Sequence, residues 1–237
     1  MVERAKPKGQ TGPIKLSDTG FKWEIIDFPA GERAREQMIA EIFVDVANNR
    51  IDLESPEPRY APFKDLVQNL EDDLDFTIWT GHGKKLMDLT EFAPLSEHGP
   101  KHTDAPHQLQ PSAKNELLHA LVEKKSNRQG AAGRFLVVYT TEEGFWIDAV
   151  TGELVRRALK SQPPKFDRVY SLTLLGQKSG VVEEIFPGRP KPAFEIITTE
   201  QLRQTQANIA HPSDIARIER APGSRIERIS KPSSYKF

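Results

Sequence analysis

The chain has 237 residues, 37% hydrophobic and 28% charged, with a formal net charge of −1. That length supports one core of ordinary size with extensions, and the composition is polar without being that of a disordered chain. Zero cysteines exclude disulfides, thiolate nucleophiles and thiolate zinc sites, and no apolar run approaches the roughly 18 residues of a membrane span.

The N-terminus carries no apolar leader, so the expected compartment is cytoplasmic. Charge is uneven along the chain. Arg4, Lys6, Lys8 and Lys15 make one end basic, and Arg217, Arg220, Arg225, Arg228 and Lys231 do the same at the other. Such tails either track a polyanion or are simply solvated ends. Residues 1–20 read as the first tail. Phe21 to Phe28 has strand character, closed by Pro29 and Gly31.

From Glu32 to Asn48 the apolar residues Met38, Ile42, Phe43 and Val46 recur at spacings of three and four, which predicts a helix. Phe63, Leu66, Val67 and Leu70 predict a short helical stripe, followed by the acidic run Glu71-Asp72-Asp73. Two strands are then expected at roughly 74–80 and 85–91, joined through Gly81 and Gly83. A proline- and histidine-rich loop over 92–111 leads to a helix with Ser112 as its N-cap and Leu117, Leu118, Leu121 and Val122 as its stripe. Phe135–Tyr139 is a continuous apolar run, as in a strand buried on both faces. Val150 to Leu159 predicts a helix. Val169–Leu175 and Val181–Phe186 predict two strands around Gly176–Gly180, and a last polar helix runs from Thr199 to about Ala210. Arg217-Ile-Glu-Arg220 and Arg225-Ile-Glu-Arg228 echo each other without making a repeat.

The expected class is therefore α/β, with a mixed central sheet flanked by helices. The domain spans 21–190. Residues 191–237 form a polar helix and basic C-terminal tail.

The chemistry concentrates on the predicted hairpin. Alternation puts Asp75 with Thr77 on one face and Asp88 with Thr90 on one face. Two carboxylates brought together on paired strands repel unless a proton or cation lies between them, which points to a hard divalent metal. The plainer alternative is a pair of solvated strand acids. His98, His102 and His107 are interrupted by Gly99, Pro100 and Pro106 and do not suit a helical zinc site. No phosphate-loop, dinucleotide or nucleophile-elbow motif occurs.

Leu74-Asp75-Phe76, Met87-Asp88-Leu89-Thr90, and Leu121-Val-Glu-Lys-Lys125 followed by the Phe135–Tyr139 strand together resemble the PD-(D/E)xK nuclease-like superfamily. The resemblance implies a restriction-endonuclease-like fold and metal-dependent cleavage of nucleic acid. Asp75 and Asp88 would hold Mg²⁺ or Mn²⁺, with Glu41 or Glu36 as a further oxygen ligand from the preceding helix. It departs at three points: no proline precedes Asp75, the second acid is Asp, and Thr90 stands where the family places lysine. Lys125, on the apolar stripe, would then supply the catalytic ammonium; otherwise it snorkels to solvent. Arg128 or Arg134 would contact phosphates. The competing expectation is a catalytically inactive nuclease-fold module acting as a scaffold in a larger phage or defence assembly. In both cases no membrane is involved, and self-association stays open.

Overall fold

The computed structural model describes residues 14–17, 20–23, 26–49, 60–69, 75–93, 109–141, 143–188, 191–205, 217–219 and 228–230. The acidic run at 71–73, His98, His102 and His107 lie outside the described residues, as do most of both basic tails.

Two small antiparallel pairs flank the main body in sequence. They are β1 (Ile14–Ser17) with β2 (Gly20–Trp23), and β9 (Arg217–Glu219) with β10 (Arg228–Ser230). Helix α1 spans Glu32–Asn48. A six-stranded sheet follows in the order β3 (Lys64–Gln68), β4 (Phe76–Thr80), β5 (Gly83–Glu91), β6 (Phe135–Thr140), β7 (Arg168–Gly176), β8 (Ser179–Phe186). The pairs β5–β6 and β6–β7 are parallel and the other three are antiparallel, so the sheet is mixed. Helices α2 (Pro111–Ser126) and α3 (Ala149–Ser161) make the two parallel crossovers, and α4 (Thr199–Arg203) ends the described body.

The α/β class with a mixed sheet between helices stands. One element differs in kind: Lys64–Gln68 is a strand, not a helical stripe. Its pairing with β4 shifts between Lys64 and Val67, and Asp65 has φ of 48°. The extra residue of this bulge breaks the two-residue alternation. Phe63 and Leu66 therefore both turn inward while Val67 lies half outside, a spacing of three that imitates a helix. The last helix is also shorter than expected. Thr198 caps it through a reciprocal bond with Gln201, and it ends at Arg203.

Alternation divides the interior into two cores. Phe135, Val137 and Tyr139 of β6 join α1, where Phe43, Phe63, Phe135 and Tyr170 pack with ring centres 5.2–6.3 Å apart. Leu136 and Val138 face the other way, with Leu118 and Val122 of α2 and Val155 and Leu159 of α3. This explains the unbroken apolar run: β6 is buried on both faces. Among the described residues no helix is long and apolar enough to cross a membrane.

Candidate functional site

Asp75 immediately precedes β4, and Asp88 lies inside β5. Phe76 pairs with Met87, so the register continued by one residue sets Asp75 opposite Asp88. Phe76, Ile78, Met87 and Leu89 turn into the α1 core, which sends Asp75 and Asp88 to the opposite face. The N–H of Leu89 donates to Asp75 Oδ2 at 2.6 Å, fixing the carboxylate over the neighbouring strand. Asp88 Oδ2 accepts from the Arg134 guanidinium at 3.5 Å, whereas its Oδ1 is buried with no hydrogen-bond partner among the described residues.

Both aspartates line one cavity of about 950 Å³. Its wall comes from three further directions. Helix α1 contributes Glu32, Arg35 and Glu36 from its first turns; the end of α2 contributes Lys124 and Lys125; Arg128 lies in the turn after α2, and Arg134 precedes β6. The loop after α2 shapes the Arg134 side. Gly130 has φ of +79°, a turn conformation that favours glycine, and the Arg134 guanidinium lies against it, 2.5 Å from where a Cβ would stand.

Burial dominates the electrostatics. It raises the pKa of Asp75, against the Leu89 N–H and the charges of Lys125 and Arg128. It raises that of Asp88, against Arg134 and Lys125 and with repulsion from Asp75. Glu36 is pushed up to about 7, by burial first and then by Asp75 and Glu32. Three carboxylates are thus held where their ionised forms are under-compensated, the condition in which a proton or a cation is taken up.

The residues singled out from sequence fall unequally. Asp75, Asp88 and Lys125 come together in this cavity, and Lys125 acts electrostatically on both aspartates. Glu41 does not join them. It is exposed on α1 and accepts a bond from Gln37 at 2.8 Å. Of the two α1 carboxylates weighed from sequence, Glu36 lines the cavity, because positions five apart on a helix point in different directions. Thr90 lines the cavity as a buried hydroxyl, with no lysine at that position. The direct contact of Arg134 with Asp88 was not legible beforehand. Its signal is the Gly130–Gly133 turn, where both glycines have positive φ.

Among the described residues, no group of three His, Cys, Asp or Glu side chains is gathered closely enough to hold a metal ion. The donor set of Asp75 and Asp88, with a buried oxygen lacking a partner, fits a hard cation that takes one or two carboxylates and fills its remaining positions otherwise. No family model, no curated protein and no solved structure matches the chain, so the chemistry rests on these residues themselves.

Proposed function

We propose that the cavity is the active site of a divalent-cation-dependent phosphodiester hydrolase acting on nucleic acid, built on a restriction-endonuclease-like fold as a divergent member of the PD-(D/E)xK nuclease-like superfamily. The observation that carries this reading is the opposition of Asp75 and Asp88 in one cavity, with Lys125 acting on both and Asp88 Oδ1 unsatisfied.

Asp75 and Asp88 would hold Mg²⁺ or Mn²⁺, with Glu36 at the rim as a proton acceptor or outer ligand. The cation, when bound, supplies Lewis acidity to a phosphoryl oxygen. Lys125 orients the attacking water and places positive charge where the phosphoryl oxygens gain negative charge. Arg134 holds the Asp88 carboxylate in place, and Arg128 meets the flanking phosphate.

One observation favours a second reading, an inactive module that binds without cutting. Thr90, buried in the cavity wall, gives no cation at the position where the superfamily carries its lysine. A pair of measurements separates the two: melting temperature with and without millimolar Mg²⁺, and cleavage of end-labelled oligonucleotides. Metal-dependent stabilisation and cleavage, both lost in Asp88→Ala, support the hydrolase, because a ligand of the native state raises apparent stability. Neither effect in the parent chain overturns it.

A further inference from the structure

On the face that carries Asp75 and Asp88, the apolar core under α2 and α3 draws its sheet residues from β6, β7 and β8. The β3–β4–β5 part of that face is furnished differently. Lys64 pairs with Trp79 and Trp79 pairs with Lys84, so three strands present lysine, tryptophan and lysine in one row. Directly opposed residues of antiparallel strands project to the same side. Trp79 is 38% exposed, both lysines are exposed, and Lys84 Nζ lies 5.7 Å from the Trp79 ring centre. The next row toward the cavity holds Val67, Thr77 and Leu86, and the row after it holds Asp75 and Asp88. Trp79 lies four residue steps along the strand from Asp75, about 13 Å.

Trp79 keeps over a third of its surface in water on the sheet face, with the Lys84 ammonium beside its ring, which leaves an amphipathic ring open to stacking. The flanking lysines narrow what stacks there. Lysine is depleted in protein–protein interfaces, whereas aromatic rings between cations are the working parts of single-strand binding surfaces. A paired duplex keeps its bases stacked inside, out of reach of a ring on a flat sheet.

We propose that Trp79, with Lys64 and Lys84, is a stacking platform for an unpaired nucleotide, so that the substrate class is single-stranded nucleic acid running from this row into the Asp75–Asp88 cavity. The proposal rests on the phosphodiester reading of that cavity. A base lies on the exposed indole, and the two ammonium groups, on flexible stems, meet the phosphates on either side.

The test is fluorescence anisotropy on the full chain in EDTA, with a labelled single strand of about 12 nucleotides, within the span of one such surface, and a blunt duplex of the same length. The single strand is expected to bind more tightly. Trp79→Ala should weaken it about 10-fold, and Trp79→Phe should recover most of that, because stacking tolerates a change of ring. Lys64→Ala with Lys84→Ala should lower the slope of log affinity against log salt by about 1.4, the value for two phosphate contacts on a single strand. Unchanged binding by Trp79→Ala, a preference for duplex, or no binding of either probe overturns the platform. Hydrolysis is read separately in Mg²⁺. Single-strand binding through Trp79 without any cleavage overturns the hydrolase and leaves the platform standing; cleavage with binding indifferent to Trp79 does the reverse.

Discussion

Two polar clusters in this molecule are built from the same kinds of side chain and behave oppositely. In the first, between α3, β7 and β8, charges alternate in space. Glu153, fully buried, accepts from Arg156 at 3.3 Å and Arg157 at 2.9 Å. Arg156 also reaches Glu183 at 3.1 Å, and Arg168 meets Glu184 at 3.0 Å. A second lock of this sort ties α2 to α3. Lys114, 1% exposed, donates to the Trp146 carbonyl at 2.7 Å and to Asp148, whose side chain also caps α3. Burial alone would raise the Asp148 pKa, but the Lys114 ammonium and Thr151 N–H pull it below its ordinary value. In the cavity the balance tips the other way: the pKa values of Glu36, Asp75 and Asp88 are all raised. Buried charges that each face an opposite charge hold elements together. Buried carboxylates left under-compensated hold something in reserve for a ligand.

Removing one carboxylate from each cluster gives the sharpest contrast. Asp88→Asn should cut cleavage of a labelled oligonucleotide by about 10³-fold, equivalent to several kcal/mol of lost charge stabilisation. Its urea midpoint should stay level or rise, since the burial cost of the Asp88 charge, which outweighs its attraction to Arg134, is removed along with the repulsion from Asp75. Glu153→Gln should do the reverse, leaving Arg157 without its carboxylate and Arg156 with Glu183 alone, at a cost of about 3 kcal/mol in urea unfolding at unchanged m-value. If Asp88→Asn destabilises as much as Glu153→Gln, the cavity pair is structural and the distinction fails.

Sequence reading reached these clusters unevenly, for identifiable reasons. Period and length carried α1, the β4–β5 hairpin, β6 and α3, because their burial patterns are set by one regular element at a time. Strand β3 was misread because a bulge replaced alternation with a spacing of three. Asp75 and Asp88 were legible as a pair since hairpin register is local. The choice between Glu36 and Glu41 was not: it depends on how α1 is rotated against the sheet, and both residues suit a solvated helix face. Lys114, buried beneath the start of α3, gave no signal at all. Its partner Asp148 lies 34 residues on, and only the crossover through β6 brings them together.

Lys125 tests whether the cations of the cavity are as specific as its acids. It acts on both aspartates, whereas Lys124, its neighbour on α2, lines the cavity without figuring among the charges that govern either one. Lys125→Ala should lower turnover by about 10²-fold, a typical loss for one electrostatic stabiliser, and should leave Mg²⁺-dependent stabilisation in place because an ammonium is no ligand. Lys124→Ala is expected to lower turnover far less. Equal losses would mean that the rim supplies only diffuse positive potential.

The smallest expected effect bears most directly on why the two clusters differ. Glu36 has its pKa moved from 4.5 to about 7. Between those values the native state keeps a proton that the unfolded chain has released, so stability falls as pH rises through the window, and the whole cost is present above it. Glu36→Gln removes the ionisation. Relative to the parent it should be more stable by about 1 kcal/mol near pH 8, a figure reduced from the full shift because solvent screens a half-buried group, and indistinguishable near pH 4. Parallel urea titrations of the two proteins across that range measure the difference. Saturating Mg²⁺ should narrow it, because a cation beside Asp75 offsets the repulsion that Glu36 feels from that carboxylate. A gap that stays constant with pH would trace to packing rather than charge. A gap that responds to pH but not to Mg²⁺ would leave Glu36 as a buried acid with no cation beside it, and would detach α1 from the metal chemistry proposed for Asp75 and Asp88.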